Sequence, residues 1–160
     1  MIAVSLRYQQ QVLAALNRLA ADMVDFTRIA EPVEEALHED ERGWLDSEGQ
    51  GSFAPLTDDY AERKAKTHPG KKILQREGNL YRALTEKGGD SYFIARKESI
   101  AFGAEGRAGE ILVYHQAGTS KMVAREALHL TDEGALKLAG IVLDEGIGSY
   151  ARELGFEVHT

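Results

Sequence analysis

The chain has 160 residues, of which 43% are hydrophobic and 28% charged, the size and composition of one globular domain with a substantial core. It has no cysteine, which excludes disulfides and thiolate metal sites, and its net charge of -7 argues against nonspecific nucleic-acid binding. No apolar run approaches membrane-spanning length, and the first residues lack the pattern of a secretion signal. We therefore expect a single domain over residues 1–160, made in the cytoplasm and without membrane contact.

The charges form two blocks of opposite sign. Residues 31–48 carry eight acidic side chains and one basic side chain, whereas residues 63–76 carry six Arg or Lys and no acid. Such blocks are usually solvated faces. In a protein that packs against copies of itself, they could also meet across a subunit boundary and set its register.

Residues 1–42 are predicted to be helical, because apolar side chains recur at alternating spacings of four and three. Pro32 interrupts this stripe, and proline removes a hydrogen bond inside a helix. We expect a kink or a restart there, with Pro32 in the first turn of a second helix. The stripe consists of Val12, Leu16, Leu19, Met23, Phe26, Ala30, Val33 and Leu37.

Residues 43–130 are predicted to hold loops, short helices, a small sheet and an arm. Residues 43–55 are rich in glycine and acid and indicate a loop. Thr57 is placed to cap a short helix that ends at His68. A second short helix is predicted to begin near Gly78, with an apolar side formed by Leu80, Ala83 and Leu84.

A β-hairpin is predicted next, over residues 92–97 and 99–102, which are rich in aromatic and β-branched side chains. Three glycines in residues 103–109 indicate a mobile loop or hairpin tip, and the apolar run 111–114 indicates a third strand. Residues 117–127 have neither a helical nor a strand period and are predicted to form an extended arm.

Residues 131–160 are predicted to form a final helix, capped by Thr131, that frays after Gly146. Its apolar stripe is Leu136, Gly140, Leu143, Ile147, Tyr150 and Leu154. The predicted fold class is therefore α+β. A long N-terminal helix, kinked near Pro32, and the C-terminal helix are expected to pack on a small, mainly antiparallel sheet that carries the arm.

No pattern of side chains indicates catalysis or a bound cofactor. The five histidines lack the spacing that places two metal ligands on one helix face, and no serine lies in a nucleophile elbow. His115 closes the predicted third strand, where a histidine more often fixes a loop than binds a metal. We expect no metal, no cofactor and no enzyme activity. A small hydrolase that uses His115 and an interaction or adaptor protein remain as alternatives.

Arg125 lies in the predicted arm and allows two interpretations. It is an ordinary surface arginine, or its guanidinium locks the arm by bidentate bonds to a carboxylate or to carbonyls, within or between subunits. On the second interpretation we expect Arg125→Glu to leave the monomer nearly as stable as before and to block assembly.

Several short segments, taken in order, resemble the Mu-like phage virion morphogenesis and tail-completion proteins. The segments are an aromatic-x-Pro-Leu step with a Tyr-Ala-x-x-Lys-type helix, an Ile-Leu-x-x-x-Gly-x-Leu segment, a His-Gln-x-Gly step, a Met-x-Ala-Arg arm and a Leu-Thr helix start. The matching positions are Phe53, Pro55, Leu56, Tyr60, Lys64, Ile73, Leu74, Gly78, Leu80, His115, Gln116, Gly118, Met122, Ala124, Arg125, Leu130 and Thr131.

The resemblance covers roughly residues 43–143. Phe53 replaces the tryptophan that the family usually has, and Val123 and Glu126 stand where it favours proline. The loss of both prolines bears on how rigid the arm is.

The resemblance implies a structural subunit of the phage neck or tail end, which completes the tail and joins it to the DNA-filled head. It implies a homo-oligomeric ring, a hexamer by analogy, that contacts other neck, head-completion, tail-terminator or tail-tube proteins in the virion. DNA would pass through the lumen without specific binding, which a net acidic wall favours. An arm without regular structure suits an element that wraps a neighbouring subunit and orders on assembly. The residues expected at the interface are His115, Gln116, Gly118, Met122 and Arg125.

Overall fold

The fold is that of a computed structural model in which residues 25–148 and Arg152 are described. Within them, five α-helices and one β-hairpin form an α+β fold, as predicted. In chain order these are α1 (Ala30–Asp46), α2 (Asp58–Thr67), α3 (Asn79–Thr85), β1 (Ser91–Arg96), β2 (Ser99–Ala104), α4 (Gly106–Ala117) and α5 (Asp132–Ile141), which continues into a π-helical segment, Val142–Ile147. None of the described helices has the length and apolar character needed to cross a membrane.

Helix α1 begins at Ala30 and confirms the prediction that Pro32 lies in the first turn of a helix. A turn over residues 26–29 precedes the helix, so Pro32 lies in the first turn, where a backbone N–H would have no intrahelical partner. The part of the predicted stripe from Val12 to Met23 lies outside the described residues. The helix also runs further than expected, to Asp46, so the predicted loop 43–55 begins only after it.

Helices α2 and α3 lie where the sequence indicates. Helix α2 begins after Thr57 and ends before His68, although the Thr57 side chain makes no capping hydrogen bond. Helix α3 begins after Gly78, which has the left-handed φ of 81° that favours glycine. The predicted apolar side of α3 is buried, with Leu84 fully inaccessible to solvent.

The predicted hairpin is confirmed, but the prediction of a third strand is wrong. Strands β1 and β2 are antiparallel and place Phe93 opposite Phe102. Residues 111–114, predicted as a strand, lie instead within helix α4, and the predicted mobile loop 103–109 is the end of β2 and the first turn of that helix.

Two contacts with residues outside the helix shape the start of α4. The Asp90 carboxylate accepts a hydrogen bond from the Ala108 N–H at 3.0 Å and so supplies the N-terminal cap from 18 residues away. Gly109 packs directly on the end of β2, since a Cβ there would lie 2.7 Å from the Ala104 carbonyl oxygen. Glycine at position 109 therefore allows close packing and does not indicate the mobile loop that was predicted.

The core lies where α1 and α3 meet the loop after α1. Helix α1 packs chiefly on α3 and α5, whereas the hairpin packs chiefly on α3 and α4. One edge-on ring contact, His38 with Phe102 at 5.1 Å, joins α1 to the hairpin. The main cluster of buried side chains is Trp44, Leu45, Phe53, Leu80, Leu84 and Ala127.

Helix α5 is capped by Thr131 as predicted, but it packs on α1 and not on the hairpin. The Thr131 hydroxyl accepts a hydrogen bond from the Gly134 N–H at 2.9 Å, and the Thr131 N–H donates to Asp40 of α1 at 3.0 Å. The expected burial of its apolar stripe is wrong for Leu136 and Leu143, which are 75% and 58% exposed. Tyr150, Leu154 and the end of the predicted fraying segment lie outside the described residues.

Candidate interaction site: the arm and the cleft beside it

The arm, residues 118–127, has no regular secondary structure, as predicted, yet it folds back on its own chain. A tight turn pairs Thr119 with Met122 through hydrogen bonds of 2.8 and 3.2 Å. The Arg125 N–H then donates to the His115 carbonyl in α4 at 2.7 Å. The expectation of an arm that orders only on assembly is therefore wrong, because the single chain already holds it in place.

Gly118 is required by the turn that reverses the chain. Its φ is +71°, and a Cβ there would lie 2.9 Å from the Ala124 nitrogen and 3.1 Å from the Met122 carbonyl oxygen. A larger residue would have to push apart two segments of backbone. Gly118 thus sets the path of the arm.

Gln116 fastens the far end of the arm, although the residue is exposed. Its side-chain amide donates to the Leu128 carbonyl and accepts from the Leu128 N–H, both at 3.1 Å. The Gln116 side chain thus makes with the Leu128 backbone the same pair of hydrogen bonds that a residue of a neighbouring β-strand would make.

Arg125 is the main anchor of the arm, and the surface interpretation is wrong. The residue is only 6% exposed, and its Nε and Nη2 donate to the Ala54 and Pro55 carbonyls at 2.8 and 2.9 Å. A third, longer bond of 3.4 Å reaches the Val123 carbonyl. The guanidinium therefore locks the arm to the loop before α2 by bidentate bonds within the chain, the second of the two interpretations. Its burial does not support the expectation that Arg125→Glu leaves the monomer nearly as stable.

Trp44 and Glu41 of α1 hold the end of the arm and His129, which follows it. The Trp44 indole donates to the Glu126 carbonyl at 2.7 Å and stacks on His129, with the ring centres 4.1 Å apart. The Glu41 carboxyl accepts from the His129 N–H at 2.8 Å. Sequence reasoning missed both residues because it assigned Trp44 to a loop. The one tryptophan of the chain, beside that loop, was the available signal.

Glu41 is buried without a compensating charge. Its Oε2 has no hydrogen-bond partner, and burial raises the pKa of the carboxyl to about 8. The hydrogen bond from His129 opposes this shift but does not cancel it. At neutral pH the carboxyl is therefore mainly protonated.

His115 lies in the last turn of α4, not at the end of a strand. It is half-buried, its Nδ1 has no partner, and burial together with nearby Arg125 lowers its pKa. A neutral imidazole beside a guanidinium lacks the carboxylate that orients a catalytic histidine. Across residues 25–148 and Arg152, no group of three His, Cys, Asp or Glu is placed to hold a metal ion.

A cleft of about 550 Å³ opens beside the arm, between α2, residues 73–80 and α4. It brings together three of the predicted interface residues, His115, Met122 and Arg125. Its described lining contains six Arg or Lys side chains and one acid, Glu77, although the chain as a whole is acidic. Two of these cations, Lys64 and Arg125, are buried.

The acidic and basic blocks of the sequence meet within the chain. Lys72 Nζ donates to the Asp46 carbonyl at 2.6 Å and lies 3.8 Å from its carboxylate. Apart from Lys64, the other cations of the basic block are exposed, which agrees with a solvated face. Of the other acids in the acidic block, only Glu31, Glu35 and Glu39 are exposed, so the same interpretation holds there only in part. Whether the blocks also meet across a subunit boundary stays a prediction.

The fold and the site define an α+β protein with an anchored, irregular arm beside a basic cleft. A family model, described as the phage virion morphogenesis family, matches residues 8–145. The chain belongs to this family. The match confirms the predicted resemblance and extends it beyond residues 43–143. It gives the protein a structural role in building the phage particle. Searches of curated proteins and of solved structures found no match.

Proposed function

We propose that the protein is a tail-completion subunit that assembles into a ring, a hexamer by analogy, at the neck or tail end and joins the tail to the filled head. Membership in a family of virion morphogenesis proteins supports this structural role. The net charge of -7 suits a ring through which DNA slides without binding.

One observation carries the assignment of the arm to the subunit boundary: the arm is rigidly anchored, yet it presents apolar side chains to solvent. Val123 is 64% exposed although the neighbouring Arg125 is buried. On helix α4, at the base of the arm, Val113 and Tyr114 are 62% and 54% exposed. Exposed apolar side chains on a fixed support are typical of protein interfaces.

Within this proposal the five predicted residues divide by role. Gln116, Gly118 and Arg125 shape the arm from within the subunit, so their contribution to the boundary is indirect. His115 and Met122 line the cleft beside the arm. The neighbouring subunit would meet the exposed side chains of the arm, foremost Val123, which also borders the cleft.

Native mass spectrometry and negative-stain microscopy of the purified chain test the proposal. We expect one discrete closed oligomer, and a chain that stays monomeric at high concentration would overturn the ring. We expect Val123→Glu to abolish the oligomer without lowering the melting temperature. Leu136→Glu, at a position on α5 that is 75% exposed, is the control and should leave the oligomer intact. Equal loss in both variants would contradict the placement of the arm at the boundary.

A further inference from the structure

The rim of the cleft beside the arm is lined by cations that are available to a partner. Lys121 is exposed, and its side chain makes no hydrogen bond or ion pair with any described residue. Among the residues that the structure describes, Arg107 pairs only with exposed Glu110 at 3.1 Å, and Arg76 only with exposed Glu77 at 3.2 Å. Surface pairs of this kind contribute little and exchange readily for a better-placed carboxylate.

The walls between these cations are apolar. Leu56, Leu74, Ile111 and Met122 all line the cleft, and each is partly exposed. A small inorganic anion would leave these side chains uncovered. The lining therefore fits an occupant that carries both apolar side chains and carboxylates, such as a short peptide segment.

The chain itself contains such a segment, at residues 153–158. The sequence there is Glu-Leu-Gly-Phe-Glu-Val, in which apolar residues alternate with acidic or small ones. In an extended conformation this alternation directs Leu154, Phe156 and Val158 to one side and both glutamates to the other. The apolar side matches the walls of the cleft, and the glutamates match its rim.

The position of this segment in the chain favours a neighbouring copy as its source. It follows α5 and the π-helical segment Val142–Ile147, and neither element contributes a residue to the cleft. Helix α5 packs on α1, another element that does not border the cleft. Six residues in extended form span roughly 20 Å, enough to pass from one subunit to the next.

We propose that residues 153–158 of one copy dock in the basic cleft beside the arm of the next copy, with apolar side chains inward and glutamates on the rim. This inference rests on the proposed assembly of like subunits and names the contact that links them. The contact is head-to-tail, the type that closes into a ring.

Disulfide trapping tests the proposal cleanly, because the chain has no cysteine of its own. Lys121→Cys and Phe156→Cys variants of the full chain are purified separately, mixed and oxidised mildly. We expect a dimer joined between positions 121 and 156, identified by peptide mass spectrometry. Leu136→Cys, an exposed position of α5 outside the cleft, replaces Lys121→Cys in the matched control and should give at least about fivefold less dimer.

Charge reversal separates specific docking from chance collision. Arg107→Glu, added to Lys121→Cys, should lower the initial cross-linking rate by about tenfold, the effect of about 1.4 kcal/mol. Glu157→Lys on the other chain should restore much of the loss. Equal yields at positions 121 and 136, or cross-links that form only within one copy of a doubly substituted chain, would overturn the proposal.

The experiments distinguish a failure of the proposed contact from a failure of the proposed ring. A ring seen by native mass spectrometry without the 121–156 cross-link would refute this contact and leave the ring standing. A specific cross-link in a chain that forms no closed oligomer would refute the ring and leave the contact standing.

Discussion

The arm and helix α5 follow each other in the chain but are held in opposite ways. The arm has no regular structure, yet Arg125 in its middle is 6% exposed and bonded to three carbonyls. Helix α5 is regular and capped, yet Leu136 on its surface is 75% exposed. Regular hydrogen bonding and tertiary anchoring are therefore separate properties in this protein. The irregular segment has the stronger attachment to the rest of the fold.

Removal of the guanidinium should produce the largest effect. We expect Arg125→Ala to lower the free energy of unfolding by about 4 kcal/mol, because two good charge-assisted bonds are lost and the carbonyls of Ala54 and Pro55 lose their donor. Urea unfolding followed by circular dichroism measures the loss. Arg125→Lys keeps the charge without the planar fork and should recover only part of the stability. Exposed Lys121→Ala is the control. If Arg125→Ala lost no more unfolding free energy than Lys121→Ala, the anchoring role of Arg125 would be refuted.

Glu41 should give the segment after the arm a pH-dependent attachment. Its folded pKa of about 8 lies above the ordinary glutamate value of 4.5, so the folded state binds the proton more tightly than the unfolded state. Its contribution to stability is greatest below pH 4.5 and falls as the pH rises to about 8, by roughly 1 kcal/mol per unit.

Glu41→Gln keeps an oxygen to accept from the His129 N–H and removes the titration. The melting temperature of this variant should exceed that of the parent by a margin that widens from pH 5 to pH 8. A margin that stays constant across this range would contradict the raised pKa.

Two glycine substitutions compare the arm with helix α5 directly. Gly118→Ala should lower the free energy of unfolding by about 2 kcal/mol, because φ is +71° and a Cβ would meet the Ala124 and Met122 backbone. Gly140→Ala in α5 meets nothing within 4 Å and should raise it by about 1 kcal/mol. Thermal unfolding of both variants checks the opposite signs. Equal signs would mean that the arm is not confined by its own chain.

The smallest effect is expected on the exposed face of α5. Leu136→Gln should change the free energy of unfolding by less than about 0.5 kcal/mol, since the side chain is already 75% exposed. Leu84→Ala, at a fully buried position, should cost about 3 kcal/mol in the same assay. A large loss at Leu136 would show that the apolar stripe of α5 is covered after all.

Local sequence signals predicted most of the secondary-structure elements. They failed where an element depends on contacts with residues outside it. Pro32, Thr131 and the apolar positions of α3 mark their elements because caps and periodicity are local. The apolar run 111–114 is too short for its period to distinguish a strand from a helix. Helix α4 depends on a cap from Asp90 and on the contact of Gly109 with β2, and neither is visible within its own sequence.

The candidate site was predictable in part for the same reason. The lack of periodicity located the arm, and the guanidinium geometry of Arg125 allowed its role to be foreseen. Its partners, the carbonyls of Ala54 and Pro55, are backbone groups about 70 residues away, which side-chain identity cannot reveal. The basic cleft likewise gathers Arg63, Arg107 and Lys121 from separate elements.

The stacking of Trp44 on His129 makes the protein its own optical reporter. The chain has one tryptophan, so all indole emission comes from the point where α1 holds the end of the arm. Release of that segment would remove both the imidazole neighbour and the 2.7 Å hydrogen bond from the indole to the Glu126 carbonyl. Fluorescence of the unlabelled subunit can therefore follow, in real time, whether the arm stays docked as particles assemble.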